Sequence, residues 1–250
     1  MRVITFVLLA LAILGATHGS AVKKAAKAAA VSAKNAAIDA KNAAVASAQA
    51  SVDAMKEKMA EMIRDIEAQI MEAIMAPVQK VQNVVTAIDN VVKGFPVCKN
   101  EVNDYVNETM TTFQNDLTTC KDTAFAETEA LFKDVVSAIT DIPVHTVAYV
   151  KTFNNCLKHT KTTRCTNIHH IVTATACATH ATDDYQQQVR QDIASANKTF
   201  TEDVPTKSPQ IVLDAGNCAN TAANKAIDGL NDSLTMAKRC VGIKGYRILV

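Results

Sequence analysis

The sequence contains no tryptophan and few other aromatic residues, which limits the functions that it can support. Phenylalanine and tyrosine make up 4% of the 250 residues, and there are only seven glycines. No glycine-rich phosphate loop, GxSxG motif or HExxH motif occurs. The basic residues are not interleaved with aromatic ones, so nucleic acid is not an expected partner. We therefore expect no catalytic residues, no metal site, no cofactor and no enzymatic activity.

Cysteine is absent from the first part of the chain and frequent in the rest. All seven cysteines follow the breaker cluster Gly94-Phe95-Pro96, at positions 98, 120, 156, 165, 177, 218 and 240. In an extracellular chain such a set indicates a disulfide framework. The chain is thus predicted to consist of a cysteine-free front and a disulfide-linked rear.

The only long apolar run is at the beginning of the chain. Arg2 is followed by an unbroken apolar run from Val3 to Leu14 and then by small residues. This pattern predicts a signal peptide over residues 1–19, with cleavage after Gly19 or after Ala21. The run is shorter than the roughly 20 residues that a membrane-spanning helix needs, although a signal anchor is the alternative.

Three glycosylation sequons fit a secreted, extracellular protein. They begin at Asn107, Asn197 and Asn231 and read Asn-Glu-Thr, Asn-Lys-Thr and Asn-Asp-Ser. An asparagine in such a triplet accepts a glycan in the secretory pathway. Because these triplets also occur by chance, we expect one or two of the three to be used.

The front of the chain repeats a seven-residue phrase. AAVSAKN is followed by AAIDAKN over residues 29–42, and the same step continues through apolar residues at Val31, Ile38, Val45, Val52, Met59, Ile66 and Ala73. A seven-residue apolar repeat is typical of a coiled coil. We predict an alanine-rich heptad helix over residues 20–76 and, after Pro77, a connecting amphipathic helix over residues 77–94.

The front is also basic. Residues 22–52 contain five lysines and one aspartate, whereas the chain as a whole carries a formal charge of +1. Such a segment could meet anionic surfaces, including lipid headgroups, glycans or bacterial envelopes. The alternative is that the lysines only keep an alanine-rich helix in solution.

The rear, residues 95–241, shows helical periodicity throughout, and residues 242–250 form a short tail. One helix of some forty residues is predicted from Cys98 to Asp141-Ile-Pro143, where Asp141 caps the next helix. A third follows from Ile168 to Phe200, and a fourth opens at Ser208-Pro209. No segment alternates as a strand does, so the predicted class is all-α: a heptad arm followed by a disulfide-linked helical bundle.

Cysteine spacing restricts the disulfide pairing. Cys98 and Cys120 are 22 residues apart, as are Cys218 and Cys240. On a continuous helix this distance is roughly 33 Å, whereas a disulfide joins Cα atoms about 6 Å apart. An antiparallel first and fourth helix would allow Cys98 to pair with Cys240 and Cys120 with Cys218.

The remaining cysteines flank a polar turn. Cys156 could close it with Cys165, which would leave Cys177 as the odd cysteine, either free and buried or linking two chains. Seven cysteines allow many other arrangements. Cys165 with His169 and Cys177 with His180 have the spacing of zinc ligands, but the two pairs lie too far apart on one helix to share an ion.

Three segments of the rear resemble a known family. They are FPVCKNEVNDYVNETMTTFQNDLTTCKDTAFAETE from Phe95, FNNC from Phe153 and NCANTAANKAIDGLNDSLTMAKRC from Asn217. In cysteine placement they resemble the tsetse EP domain family of insect secreted proteins, over residues 95–241. The middle cysteines and the alanine-rich arm depart from the family pattern. The resemblance implies an extracellular insect protein of gut or gland without enzymatic activity, and it carries over no site residues.

The sequence thus favours a secreted, glycosylated protein that acts by interaction. The expected partner is a second copy or another helical protein bound through the heptad arm, or an anionic or lipid surface. The alternative is an extracellular carrier of lipid or another apolar ligand, with a fibrous protein as a third possibility. These hypotheses rest on amphipathic helices that need a neighbour.

Overall fold

A computed structural model describes residues 20–158 and 168–248, with side chains described over residues 23–158 and 168–242. Every regular element in these ranges is a helix, which confirms the all-α class. The helices are α1 (Ser20–Val92), α2 (Pro96–Leu131), α3 (Lys133–Leu157), α4 (Ile168–Lys198) and α5 (Val204–Ile248), with a five-residue π-helix, Thr199–Asp203, before α5. The signal peptide predicted over residues 1–19 lies outside the described part. The tail predicted over residues 242–250 is helical as far as Ile248.

The helices form two compact units that share the chain in alternation. Unit 1 comprises the residues up to Lys58 together with Asp134–Lys198. Unit 2 comprises Met59–Lys133 together with the residues from Thr199 onward. This division differs from the predicted arm and bundle, because α1 contributes one part of its length to each unit.

The buried face of α1 follows only some of the predicted heptad positions, since Val52 and Ile66 are buried but the earlier ones are not. Val31 is 42% exposed, and Ile38 and Val45 are only half-buried. The buried residues near them are alanines, each one position earlier: Ala30, Ala37 and Ala44. Small side chains let neighbouring helices approach closely, so the alanines face the interior and the β-branched residues lie beside it.

From Ala44 onward the buried positions of α1 repeat every eleven residues. The repeat is seen in one set of buried residues: Ala44, Met55, Ile66, Pro77 and Ile88. An eleven-residue repeat corresponds to about 3.67 residues per turn, close to the period of a straight α-helix and different from that of a left-handed coiled coil. The coiled-coil geometry predicted for the arm is therefore not what this part of α1 displays.

Pro77 lies inside α1 and does not begin a new helix. Proline has no N–H for the carbonyl four residues earlier, here that of Ala73. Within unit 2, α5 passes close to this point at Gly216, where an added Cβ would lie 3.5 Å from Ala73 Cβ and 3.9 Å from Ala73 O. Pro77 itself is fully buried. Packing around the proline thus maintains a helix that local sequence rules would interrupt.

The long rear helix ends at Phe132, about ten residues before the predicted boundary. Phe132 has φ −93° and ψ 10°, and its N–H donates to the carbonyls of Ala130 and Glu129. Its ring is buried and lies 6.4 Å from that of Phe200, centroid to centroid. Asp141 and Pro143, predicted to cap the next helix, both lie inside α3. Burial of a large aromatic ring therefore determines the break.

Helix α5, which the sequence predicts to open at Ser208-Pro209, begins earlier, at Val204. The π-helix Thr199–Asp203 directly precedes it. Pro205, which follows the π-helix within one turn, has no N–H to donate to the carbonyl of residue 201. Pro209 is accommodated within α5.

Two disulfides connect α2 and α5 within unit 2. Cys98 bonds to Cys240 and Cys120 to Cys218, each with Cα atoms 5.7 Å apart. These are the two pairs favoured by the 22-residue spacing. That spacing equals two eleven-residue steps, so both cysteines of α2 lie toward α5 at different heights.

The third disulfide corrects the sequence analysis. Cys156 bonds to Cys177, with Cα atoms 5.6 Å apart, so the predicted pair of Cys156 with Cys165 is wrong. Cys177 is consequently not the odd cysteine. The reason lies in the register of the antiparallel α3 and α4, which brings Thr146 opposite Tyr185 and Tyr149 opposite Thr182, and therefore Cys156 opposite Cys177. Cys165 lies outside the described residues.

Candidate functional site

A reciprocal tyrosine–threonine network holds α3 against α4 in unit 1. The hydroxyl of Tyr149 lies 2.8 Å from that of Thr182, and the hydroxyl of Tyr185 lies 2.6 Å from that of Thr146. Each threonine already donates its proton to a backbone carbonyl four residues earlier. The tyrosines are therefore the donors. The same Thr-x-x-Tyr element, TVAY in α3 and TDDY in α4, supplies both halves of the network.

The two tyrosine rings also stack face to face. Their centroids are 4.3 Å apart with an interplanar angle of 5°, and Phe153 meets Tyr149 edge-on at 5.9 Å. Burial raises the pKa of Tyr149 and of Tyr185 above the ordinary value for tyrosine. Both hydroxyls therefore stay protonated, and remain donors, throughout the physiological pH range.

Two further contacts at the border of the network connect α3 to its neighbouring helices. His145 Nδ1 lies 3.2 Å from Asp192 Oδ2, which joins α3 to α4 beyond the tyrosine pair. From α1, Lys41 places its ammonium nitrogen 5.7 Å from the centroid of the Phe153 ring. Together with the Cys156–Cys177 bond, these contacts fix the rotation of α3 about its axis and hence the face that it exposes.

The exposed face of α3 is apolar, which is unusual for the outer face of a helix. Val136, Val144 and Val147 are 49%, 61% and 72% exposed, and Pro143 and Thr140 lie on the same side. We call this set the valine face. From residue 135 to residue 150 there is no lysine or arginine, and the one carboxylate, that of Asp141, is half-buried and accepts a hydrogen bond from Ser137 at 2.8 Å. The valine face points away from the buried face of α3, which bears Val135, Ala138, Ile142, Tyr149, Phe153 and Leu157.

The three candidate glycosylation sites all lie on helix surfaces. Asn107 is in α2, Asn197 in the last turn of α4 and Asn231 in α5, and each is exposed. The hydroxyl-bearing residues of the second and third sequons, Thr199 and Ser233, are buried at 1% exposure. Any glycan would therefore have to be attached before these helices pack.

Of the two cysteine–histidine pairs with zinc-ligand spacing, only Cys177 with His180 lies wholly within the described residues. Cys177 is bonded to Cys156 and is therefore not a free ligand. The exposed side chain of His180 places Nδ1 3.4 Å from Oδ1 of Asp184 in the same helix. Over residues 20–158 and 168–248, no group of three or more potential ligands is placed to hold an ion. His159 and Cys165 are outside that range.

Unit 2 has a small groove between α2 and α5. Its volume is about 220 Å³, and Phe113, Ala222 and Gly229 contribute to its walls. A Cβ at Gly229 would come within 3.3 Å of Thr109, so glycine is what permits the close approach here. A single ion pair, Lys225 to Asp116 at 3.3 Å, spans the groove. These features describe helix packing, and they bring together no chemically reactive group.

Comparison with protein-family models, with curated proteins and with solved structures finds no match to this chain. No helix in the described ranges has the length and apolar character needed to cross a bilayer. The features that stand out in the described residues are the valine face, the paired Thr-x-x-Tyr elements and the disulfide framework. The sequence analysis did not identify the first two, although the repeated Thr-x-x-Tyr spacing and the run VVSAITDIPVHTVAYV were visible in it.

Proposed function

We propose that the protein is a secreted, glycosylated, non-enzymatic helical protein that acts by binding another protein through the valine face of α3. The observation that carries this proposal is the exposure of Val136, Val144 and Val147 on a helix whose opposite side is already buried. A helix that is apolar on both sides is ordinarily covered on both. An apolar patch without charges is also the surface character that marks interaction sites.

The disulfide framework supports the extracellular part of the proposal. Three disulfides in one chain are typical of oxidising compartments. The resemblance of residues 95–241 to the tsetse EP domain family supports secretion from insect gut or gland. Exposure of all three sequon asparagines supports glycosylation.

The structure changes which part of the chain should meet the partner. The sequence analysis assigned that role to the heptad arm, but the apolar side of α1 is buried within its own chain at Ala30, Ala37 and Ala44. We therefore transfer the proposed interaction from the arm to α3, where the register of the tyrosine network presents the valines outward.

Site-directed photo-cross-linking tests the proposal. A photo-reactive phenylalanine derivative replaces Val147 in the full chain, made in cells that secrete it, and mass spectrometry identifies the cross-linked product. The matched control carries the same group at Leu213 of unit 2, which is 55% exposed. We expect one discrete protein partner from position 147, lost when Val144→Asp is added. Equal labelling from both positions, or attached lipid in place of a protein, would contradict the proposal.

Secretion and glycosylation are tested in the same cells. The full chain should appear in the medium, and enzymatic removal of N-glycans should lower its mass. Substituting Gln for Asn107, Asn197 and Asn231 one at a time identifies which sites are used. A chain that stays inside the cell, or one whose mass does not change, would count against this part of the proposal.

A further inference from the structure

One part of unit 1 carries an excess of positive charge. Unit 1 consists of two segments of the chain, the residues up to Lys58 and Asp134–Lys198. The contact of Lys41 with Phe153 places α3 beside α1 at this height, and the Cys156–Cys177 bond joins α3 to α4. We call residues 23–41, 151–158 and 168–182 the cationic end.

The cationic end contains seven lysines and one carboxylate, that of Asp39. The lysines are Lys23, Lys24, Lys27, Lys34 and Lys41 of α1 with Lys151 of α3 and Lys158, which directly follows α3. Five of them are exposed, and Lys34 and Lys41 are half-buried. None takes part in an ion pair with another described residue. Such a concentration of one sign attracts polyanions over distances of about 8 Å at physiological salt.

The lysines of α1 form a row, which the repeated sequence phrase explains. Lys27, Lys34 and Lys41 are spaced seven residues apart, so they lie along one side of the helix at intervals of roughly 10 Å. Beside this row, on the exposed side of α1, lie Lys24, Ser32 and Asn35, which offer an ammonium, a hydroxyl and an amide. The row and these neighbouring polar groups together suit a narrow linear anion.

From this arrangement we infer that the cationic end binds a linear sulfated polysaccharide along the lysine row of α1. A helix that binds a lipid surface lays an apolar face into it. Here the apolar face of α1 is already buried within unit 1, and Val31 is the one large apolar side chain exposed among the α1 lysines. Single-stranded nucleic acid is bound with the help of aromatic stacking, for which residues 23–38 provide no ring.

The positions of the sequons agree with this assignment. No sequon begins within residues 23–41, 151–158 or 168–182. Asn197, the sequon asparagine of unit 1, lies in the last turn of α4, about 15 residues after residue 182. The inference extends the proposed function, because a secreted protein meets sulfated polysaccharides outside the cell. It uses different residues from the valine face, so the two can fail separately.

Heparin affinity at graded salt concentration tests the inference with the full, disulfide-bonded chain. The variant Lys27→Glu with Lys34→Glu is compared with Lys80→Glu with Lys238→Glu, two exposed lysines of unit 2, so that both variants change the net charge equally. We expect about a tenfold or greater loss of affinity for the first pair only, with a salt dependence reduced by about two contacts. Equal losses in both variants would show that net charge alone binds heparin, and would overturn the inference.

Three further binding measurements distinguish between the possible anions. Unsulfated hyaluronan should bind at least about tenfold more weakly than heparin. Phosphatidylserine vesicles or single-stranded DNA binding as tightly as heparin would overturn the assignment to a sulfated polysaccharide. Circular dichroism checks that each variant stays helical, and Lys27→Gln with Lys34→Gln provides a second variant without charge reversal. Because the valine face is intact in these variants, cross-linking from position 147 should be unaffected.

Discussion

Units 1 and 2 bury different parts of the same helix with side chains of different size. In unit 1, α1 is buried mainly through alanines, such as Ala30, Ala37 and Ala44. In unit 2 it is buried through larger residues, among them Ile70 and Val81. Each alanine removes less apolar surface from water, so unit 1 gains less from this helix. Its α3 and α4 carry a polar and aromatic network, while unit 2 has two disulfides of long sequence separation.

Removing one disulfide from each unit should change the free energy of unfolding more than any other substitution considered below, and so tests this comparison most strongly. With Cys120–Cys218 intact, replacing Cys98 and Cys240 by Ser frees a loop of about 44 residues and should lower the free energy of unfolding by about 4 kcal/mol. Replacing Cys156 and Cys177 by Ser frees a loop of 21 residues and should cost about 3 kcal/mol.

Guanidinium unfolding under non-reducing conditions measures both values. Far-ultraviolet circular dichroism follows all helices, and near-ultraviolet signals from the stacked pair Tyr149 and Tyr185 report on unit 1. If the Cys156 and Cys177 variant were the less stable one, loop length would not explain what the disulfides contribute.

A smaller effect should come from opposite substitutions in α1. Ile70→Ala removes a fully buried side chain in unit 2 and should cost about 3 kcal/mol. Ala44→Leu adds volume to the tight alanine contact of unit 1 and should cost about 2 kcal/mol through overpacking. Ala43→Leu, at the exposed neighbouring position, is the control and should change stability by no more than about 0.5 kcal/mol. A neutral Ala44→Leu would mean that α1 is loosely packed there.

The smallest effect concerns the tyrosine network. Tyr149→Phe removes the hydrogen bond to Thr182 and should cost about 1 kcal/mol near neutral pH. Burial raises the pKa of Tyr149 in the folded state, so its contribution is fully present below about pH 10, the unfolded value, and is lost as pH rises through the folded value. Tyr149→Phe should therefore flatten the alkaline decline in thermal stability. An unchanged alkaline profile would contradict the assigned role of Tyr149.

The sequence predicted some of these features because they depend on spacing along a single helix. The 22-residue intervals suffice to exclude bonds within one helix and to favour Cys98 with Cys240. The pairing of Cys156 could not be found in this way, because it depends on the register between α3 and α4, which is fixed by side chains such as Tyr149 and Thr182.

The errors in α1 and at the prolines have a common origin. Hydrophobicity ranks Val31 above Ala30, but close helix packing favours the smaller residue, so the alanine is buried and the valine exposed. Likewise, local rules predict a break at Pro77 or Pro143, but both lie inside helices; Pro77 is buried there, whereas Pro143 is exposed. The valine face was missed because an apolar residue does not reveal from sequence which side of its helix is covered.

The alternation of the two units along the chain has a consequence for synthesis. The first segment of unit 1 ends at Lys58 and its next segment begins at Asp134, so roughly 75 residues must be made in between. At about 5–20 residues per second the first segment waits roughly 4–15 s for its partners. A nascent segment rich in isoleucine would be prone to aggregate during that interval. Alanine and lysine make a segment that tolerates the delay, so the composition of the front suits the order in which the ribosome delivers the chain.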